Sequence, residues 1–377
     1  MKRRAFLGIL GGGIILAAGG VGYRVTRTPH AALEPWAVAG AGYEDPRKQA
    51  LSYAILAPNP HNRQPWLVDL EEPDMAVLYA DTTRLLPHTD PQNRQITIGL
   101  GCFLELLTMA AAQGGYRLDT TLFPDGSDAQ KLDKRPVARI RFVKDPTIQP
   151  DPLFAHVMDR RTNKEPYDTA RAVGPEVLSK LLPAARSTQM GGSVETASIE
   201  RLRKLTEAAS TIEFSTPRTH KESVDLFRIG YKEVNANPDG IDFSGPFFET
   251  LALAGQLDRE SLADPNSMQF QQSVPAILDP LRSAMGHVWI TTPDNSRESQ
   301  IAAGRDWLRF HLACTRDGIA FNPHSQCLQE YPEMAMLYKQ VHELLAKPGE
   351  TVQMLGRIGY AAPVAPSPRW PMETRLV

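Results

Sequence analysis

The stretch Asn59-Pro60-His61-Asn62-Arg63-Gln64-Pro65-Trp66 decides how this chain is read. Two prolines stiffen a turn that carries amides, an imidazole and a guanidinium, and the turn runs directly into a strand beginning at Trp66. Side-chain amides offer donor and acceptor atoms together, which is what the edge of a planar heterocycle requires. On these residues alone, a helix-to-strand turn with a buried Trp is an equal alternative.

Two cationic segments lie far from this turn. In Arg160-Arg161-Thr162-Asn163-Lys164 the side chains of Arg160, Thr162 and Lys164 would point the same way on an extended or turning backbone. A guanidinium, a hydroxyl and an ammonium brought together suit a dianionic phosphate. Read alone, the segment is more simply a solvated basic turn ahead of a helix. Ser367-Pro368-Arg369 lies between Pro366 and Pro371, so it should be stiff and extended and could hold Arg369 at low entropic cost. Read alone, it is an exposed tail.

Outward from the turn, residues 47–56 predict a helix ended by Pro58 and Pro60. The runs 66–70 and 75–79 predict strands, and 137–143 alternates as a half-exposed strand does. Residues 95–113 are apolar on nearly every face, the mark of a fully buried helix, and Gly114-Gly115 stops it. Past residue 150, helices are expected at 198–209 and 220–234, with a turn at Asn237-Pro238-Asp239-Gly240. Residues 241–285 are weakly patterned and read as an irregular lid or arm. A short strand at 288–290 and a second buried helix at 300–315, closed by Gly318, complete the pattern. Gly101 to Gly115 and Gly304 to Gly318 have the same spacing. In that register Leu104, Leu107, Met109 and Ala110 fall opposite Trp307, Phe310, Leu312 and Ala313, which suggests two related halves.

Composition narrows the classes. With 41 basic against 43 acidic residues in 377, no basic field favours nucleic acid. Cys102, Cys314 and Cys327 lack the spacing of a disulfide framework or a zinc ribbon and read as small buried hydrophobes. No Gly-x-Ser-x-Gly elbow or Gly-x-Gly-x-x-Gly fingerprint occurs, and Ala346 stands where a zincin-like His342-Glu343 would need its second His. At the N-terminus, Lys2-Arg3-Arg4-Ala5-Phe6-Leu7 precedes a Gly/Ala-rich apolar stretch. This is the grammar of an export signal, and its Arg-Arg-x-Phe-Leu form resembles the twin-arginine type. Ala37-Val38-Ala39 fits a late cleavage pattern, and retention as a membrane anchor is the alternative.

Together these segments resemble the nitroreductase family. Asn62-Arg63-Gln64-Pro65-Trp66 is similar to its Asn-x-Gln-Pro-Trp turn. Arg160-x-Thr162-x-Lys164 is similar to its phosphate motif, and Ser367-Pro368-Arg369 to its C-terminal basic motif. With Gly356-Arg357-Ile358-Gly359-Tyr360, the ensemble is most like the Acg-type branch. The resemblance implies an α+β sandwich, usually a homodimer with FMN at the interface, the phosphate motif coming from one subunit and the turn from the other. Within a family subunit the phosphate motif comes first; here the turn does. The expectation is therefore a single-chain pseudo-dimer with one FMN site and no need of a second copy. Its signal or anchor would occupy residues 1–35, its first half 36–150, and its second half 151–377 with the lid at about 241–285. The resemblance implies cofactor contacts from Asn59, His61, Asn62, Arg63, Gln64, Arg160, Thr162, Lys164, Ser367 and Arg369. Arg94 and Arg357 are weaker candidates, more simply structural. It also implies an oxidoreductase acting on small nitro or quinone-like compounds, with no acid–base dyad required. Delivery by the twin-arginine machinery would place the protein in the periplasm or on the inner membrane. The alternatives are a non-catalytic FMN carrier and an exported small-ligand binder without flavin.

Overall fold

The computed structural model describes residues 26–377, so the arginine pair and apolar stretch of the export signal lie outside the described residues. The fold is α+β. Helix α1 (His30–Val38) leads into α2 (Pro46–Ala54), whose first turn is capped by the Asp45 carboxylate. Arg47 at the start of α2 donates to the carbonyls of Leu70, Glu72 and Met75, tying the helix to the hairpin that follows. Strands β1 (Trp66–Asp69), β2 (Met75–Ala80), β3 (Tyr116–Leu122) and β4 (Pro136–Lys144) form an antiparallel sheet of order β1-β2-β4-β3. Between β2 and β3 runs the long helix α3 (Arg94–Gln113), buried on almost every face as its composition predicts. Trp66 is fully buried and its ring lies 5.0 Å from that of Phe103 on α3.

The second half repeats this plan. Helix α4 (Pro175–Leu181), strand β5 (Gln189–Ser193) and helix α5 (Thr196–Ser215) precede an arm described below. The arm comprises α6 (Pro217–Asp225), β6 (Phe227–Ile229), α7 (Gly230–Ala236), β7 (Ile241–Phe243), α8 (Pro246–Leu253), α9 (Arg259–Ala263) and α10 (Met268–Arg282). Then come β8 (Gly286–Thr292), α11 (Arg297–Arg316), β9 (Ala320–Pro323), α12 (Ala335–Leu345) and β10 (Thr351–Gly359), giving a second antiparallel sheet of order β5-β8-β10-β9.

The two long helices cross at their glycines. A Cβ on Gly101 would stand 2.3 Å from the Ile301 carbonyl oxygen and 3.0 Å from Gly304 Cα. A Cβ on Gly304 would stand 2.0 Å from the Ile98 oxygen and 2.9 Å from Gly101 Cα. Only hydrogen fits there, and the Cys102 thiol donates across the crossing to the Gly304 carbonyl. The helix starts Arg94 and Arg297, the pair Ile98 and Ile301, and the two glycines all share one offset along the chain. All three cysteines are buried and unpaired with one another.

Two expectations need correction. The segment 241–285 is not irregular: it holds β7 and the helices α8, α9 and α10. Pro275 and Pro280 inside α10 and the brevity of α9 hid the helical period. Residues 220–234 are not one helix. The chain ends α6 at Asp225, pairs β6 in parallel with β7, and restarts as α7 at Gly230, which takes a left-handed φ of 79°. After β10 the tail leaves the second half. Leu376 bridges Val68, and the Val377 N–H donates to the Val68 carbonyl at the edge of the first sheet.

Candidate functional site

The turn after α2 is strained. His61, Asn62 and Gln64 have φ of 47°, 52° and 51°, left-handed values that cost L-residues energy. One bond within the turn and several from the arm and the tail hold it there. The Asn59 side-chain oxygen accepts from the Gln64 N–H at 2.7 Å, and the Gln64 side-chain oxygen accepts from the Trp370 N–H at 2.8 Å. The Gln64 amide donates to the Pro238 carbonyl at 2.6 Å, and the Asn62 amide to the Pro368 carbonyl at 2.9 Å. The predicted turn Asn237–Gly240, lying between α7 and β7, therefore sits directly on the first motif.

Arg369 returns from the tail to the same place. Its guanidinium donates to the carbonyls of Ile55, Leu56, Ala57 and Pro368 and, at 2.6 Å, to the Asn62 side-chain oxygen, so all five of its N–H groups are engaged. Arg160 arrives from the second half and donates to the Leu56 carbonyl at 2.9 Å, with the His311 ring 3.4 Å from its other nitrogen. Both side chains are almost fully buried. Burial holds the Arg160 guanidinium down at about 10. It holds Arg369 well below its ordinary value, with Arg160 and Arg161 adding to the effect. Among the described residues no carboxylate forms an ion pair with Arg160, Arg161 or Arg369; Asp159 acts on Arg161 only from a distance. Burying guanidinium charge without a counter-ion is costly, and a dianionic phosphate is the group that would relieve it.

Near this cluster the first half brings His61 and the second Lys164. Burial, then Lys164, then Arg63 push the His61 imidazole down to about 4, so it is neutral. Burial also lowers the Lys164 ammonium, against the pull of Asp242, although its side chain keeps an accessible surface, as on the wall of a recess. Burial first, then Arg357 and His287, with Lys164 a smaller influence, hold the His324 imidazole neutral; both its ring nitrogens are buried without a hydrogen-bond partner. Nδ1 of His287 and Oε1 of Gln326 are likewise buried and unpartnered. Unmade hydrogen bonds of this kind, grouped around Arg357, fit a polar ligand. A surface groove of about 520 Å³ between α5 and α12 shares no residue with these groups.

The sequence-predicted residues thus divide. Arg160, Lys164, Arg369 and His61 are brought to one region, with Thr162 beside them in a parallel bridge to Phe321. The side chains of Asn59, Asn62 and Gln64 are engaged in holding the turn. Arg63 is spent on an ion pair with Asp239 at 2.9 Å, a carboxylate that also pairs with Arg84 and Arg228. The Ser367 side chain is exposed, and only its carbonyl takes part, accepting from Trp36 Nε1 at 2.8 Å. Arg94 is structural, paired with Glu330 at 2.6 Å. Arg357 stacks 3.8 Å over the Tyr167 ring and donates to carbonyls. Sequence reasoning missed Trp36, Asp239 and His324. Asp239 stood in a recognised turn, but its partners come from distant segments; a lone Trp or His carries no local signal at all.

No protein-family model matches the chain. It is similar over most of its length to proteins of Mycobacterium tuberculosis. One is named "Putative NAD(P)H nitroreductase Rv3131" (26% identical over 338 residues, covering 86% of this chain and 92% of that protein). Another is named "Putative NAD(P)H nitroreductase acg" (26% over 338 residues, 86% and 93%). A third, "Uncharacterized protein Rv3127", is 24% identical over 341 residues. Among solved structures, the FMN-dependent nitroreductase NfnB of Mycobacterium smegmatis in complex with NADPH is 16% identical over 57% of this chain and 92% of its own, with a TM-score of 0.35. A nitroreductase-like protein of Anabaena variabilis is 12% identical over 88% and 91%, with a TM-score of 0.40. Scores this low carry no argument about the site.

Proposed function

We propose that this chain is an FMN-dependent oxidoreductase of the nitroreductase type, built as two fused halves around one flavin and reducing small nitro or quinone-like compounds. The observation that carries the reading is the buried pair Arg160 and Arg369, with the half-buried Arg161 beside them and no paired carboxylate, set against the strained turn 59–64. The names of two relatives similar over nearly the whole chain agree with it. Arg160 and Lys164 would hold the phosphate, with Arg369 adding its charge while its five N–H groups stay on the oxygens of the turn and tail, and His61, His324 and His287 would face the rest of the ligand. Flavin, when bound, supplies the hydride or electron transfer. The chain's own part is to bind, to orient and to exclude water; with His61 neutral, Lys164 supplies positive charge beside it. We further propose export of the folded protein by the twin-arginine route, to the periplasm or to the face of the inner membrane, and function as a single chain.

The test is spectroscopic. Purified protein should be yellow and should release FMN on heating, and NAD(P)H should bleach it under anaerobic conditions. Colourless protein that takes up no FMN would sink the reading and leave a flavin-free ligand binder. A second reading, a non-catalytic FMN carrier, is favoured by one feature: Pro238 and Asp239 bond directly to Gln64 and Arg63, so the arm is latched over the turn. Yellow protein that NAD(P)H does not bleach would select it.

A further inference from the structure

The first described helix is part of the cationic cluster. Trp36 on α1 is 7% exposed, and two guanidiniums lie over its indole, with Arg161 Cζ 4.9 Å and Arg369 Cζ 5.6 Å from the ring centroid. Its Nε1–H donates to the Ser367 carbonyl, and the Ala32 carbonyl accepts from the Arg369 N–H at 2.8 Å. The Ala32 N–H donates in turn to the Asn235 side chain on α7, in the arm. One short helix thus fastens the tail, the Arg160–Lys164 segment and the arm together.

Cleavage after Ala39 would remove Ala32 and Trp36. It would uncover two guanidiniums that have no carboxylate partner, and it would free the Arg369 N–H. From this we infer that residues 29–39 are retained in the working protein as a wall of the anion site. Trp36 is a positioning residue that holds the Arg161 and Arg369 guanidiniums, through cation–π contact, within the cationic cluster that would attract a phosphate. The assignment of phosphate rests on the proposed function above; the retention of α1 does not.

Two measurements test it. The first is the intact mass of the protein recovered from the cell envelope. A mature N-terminus at or before Pro29 is expected, and one beyond Trp36 would overturn the inference whatever the protein binds. The second compares FMN with riboflavin, which lacks the phosphate, on wild type, Trp36→Phe and Trp36→Ala. Trp36→Ala should lose about tenfold in FMN affinity with riboflavin affinity unchanged, and Trp36→Phe should keep most of it, since a benzene ring still attracts the cations. Equal losses for both flavins would make Trp36 merely structural. Wild-type protein that binds neither flavin would defeat the functional reading instead, and the mass would still decide the fate of α1.

Discussion

Gly304→Ala probes the join between the halves. The new methyl carbon would stand 2.0 Å from the Ile98 oxygen and 2.9 Å from Gly101 Cα, both backbone atoms of the facing helix. Ordinary C···O contact needs about 3.3 Å, so the helices must part by an ångström or so. A gap of that size forfeits a quarter to a half of each dispersion contact along the crossing. Overpacking of this kind costs about 1–3 kcal/mol, and the rigidity of backbone on both sides puts it at or above the upper end. Replacing a mid-helix glycine returns only about 1 kcal/mol. The net expectation is a loss of about 2 kcal/mol or more, read as a lower urea midpoint with an unchanged slope. Gly101→Ala should behave alike, and the double variant should fall short of the sum, because the first methyl already separates the helices. Gly114→Ala is the control: its Cβ would meet nothing closer than 3.4 Å and should shift stability by less than about 0.5 kcal/mol. A Gly304→Ala protein as stable as its parent would refute the close crossing.

Other consequences follow from the site. Arg160→Ala should weaken FMN retention by about 1.5–3 kcal/mol, the scale of a lost charged hydrogen bond, measured by equilibrium dialysis; unchanged retention would remove Arg160 from the phosphate site. Asp239→Asn breaks three pairs at once, with Arg63, Arg84 and Arg228, and should speed hydrogen exchange at the N–H groups of Gly240 and Ile241. Exchange as slow as in wild type would mean that charge does not latch the arm. His61 sets a pH dependence. Its folded pKa, about 4, lies below its ordinary 6.5, so its contribution is complete above about pH 6.5 and is lost as pH falls through 4. His61→Gln should remove that acid-side loss, at most about 3 kcal/mol, in urea titrations between pH 4 and 7. A bound phosphate should raise the His61 pKa in NMR titration by offsetting Lys164.

What the sequence yields and what it hides follow from locality. The long helices were legible because full burial leaves an apolar run that no surface segment would carry, and glycines stop them at Gly114 and Gly318. Strands β1, β2 and β4 were legible by alternation and turn residues. Strand β5 was not: Gln189-Met190-Gly191-Gly192-Ser193 has almost no apolar side chain. It exists because β8 offers it a partner, with Gly191 giving room to the Trp289 ring. The charged motifs were legible as residue types but not as roles. Arg63 and Arg160 look equivalent in sequence; one meets Asp239 from the arm, the other meets only carbonyls and an imidazole. Partnership across more than a hundred residues leaves no local trace.

That difference bears on assembly. The turn 59–64 carries three L-residues in left-handed conformation, at a cost of about 1–3 kcal/mol each. Nothing within the first half offsets so much. The bonds that do come from Pro238 in the arm and from Pro368, Arg369 and Trp370 in the tail, all on the far side of the chain's midpoint. The turn thus depends on bonds from the arm and the tail. If the tail closes this turn last, a ligand that needs both sides binds last and locks the arm, the tail and α1 in place together. Ligand should accordingly slow hydrogen exchange at the Arg369 and Gly240 N–H groups far more than within α3, and uniform protection would contradict this order.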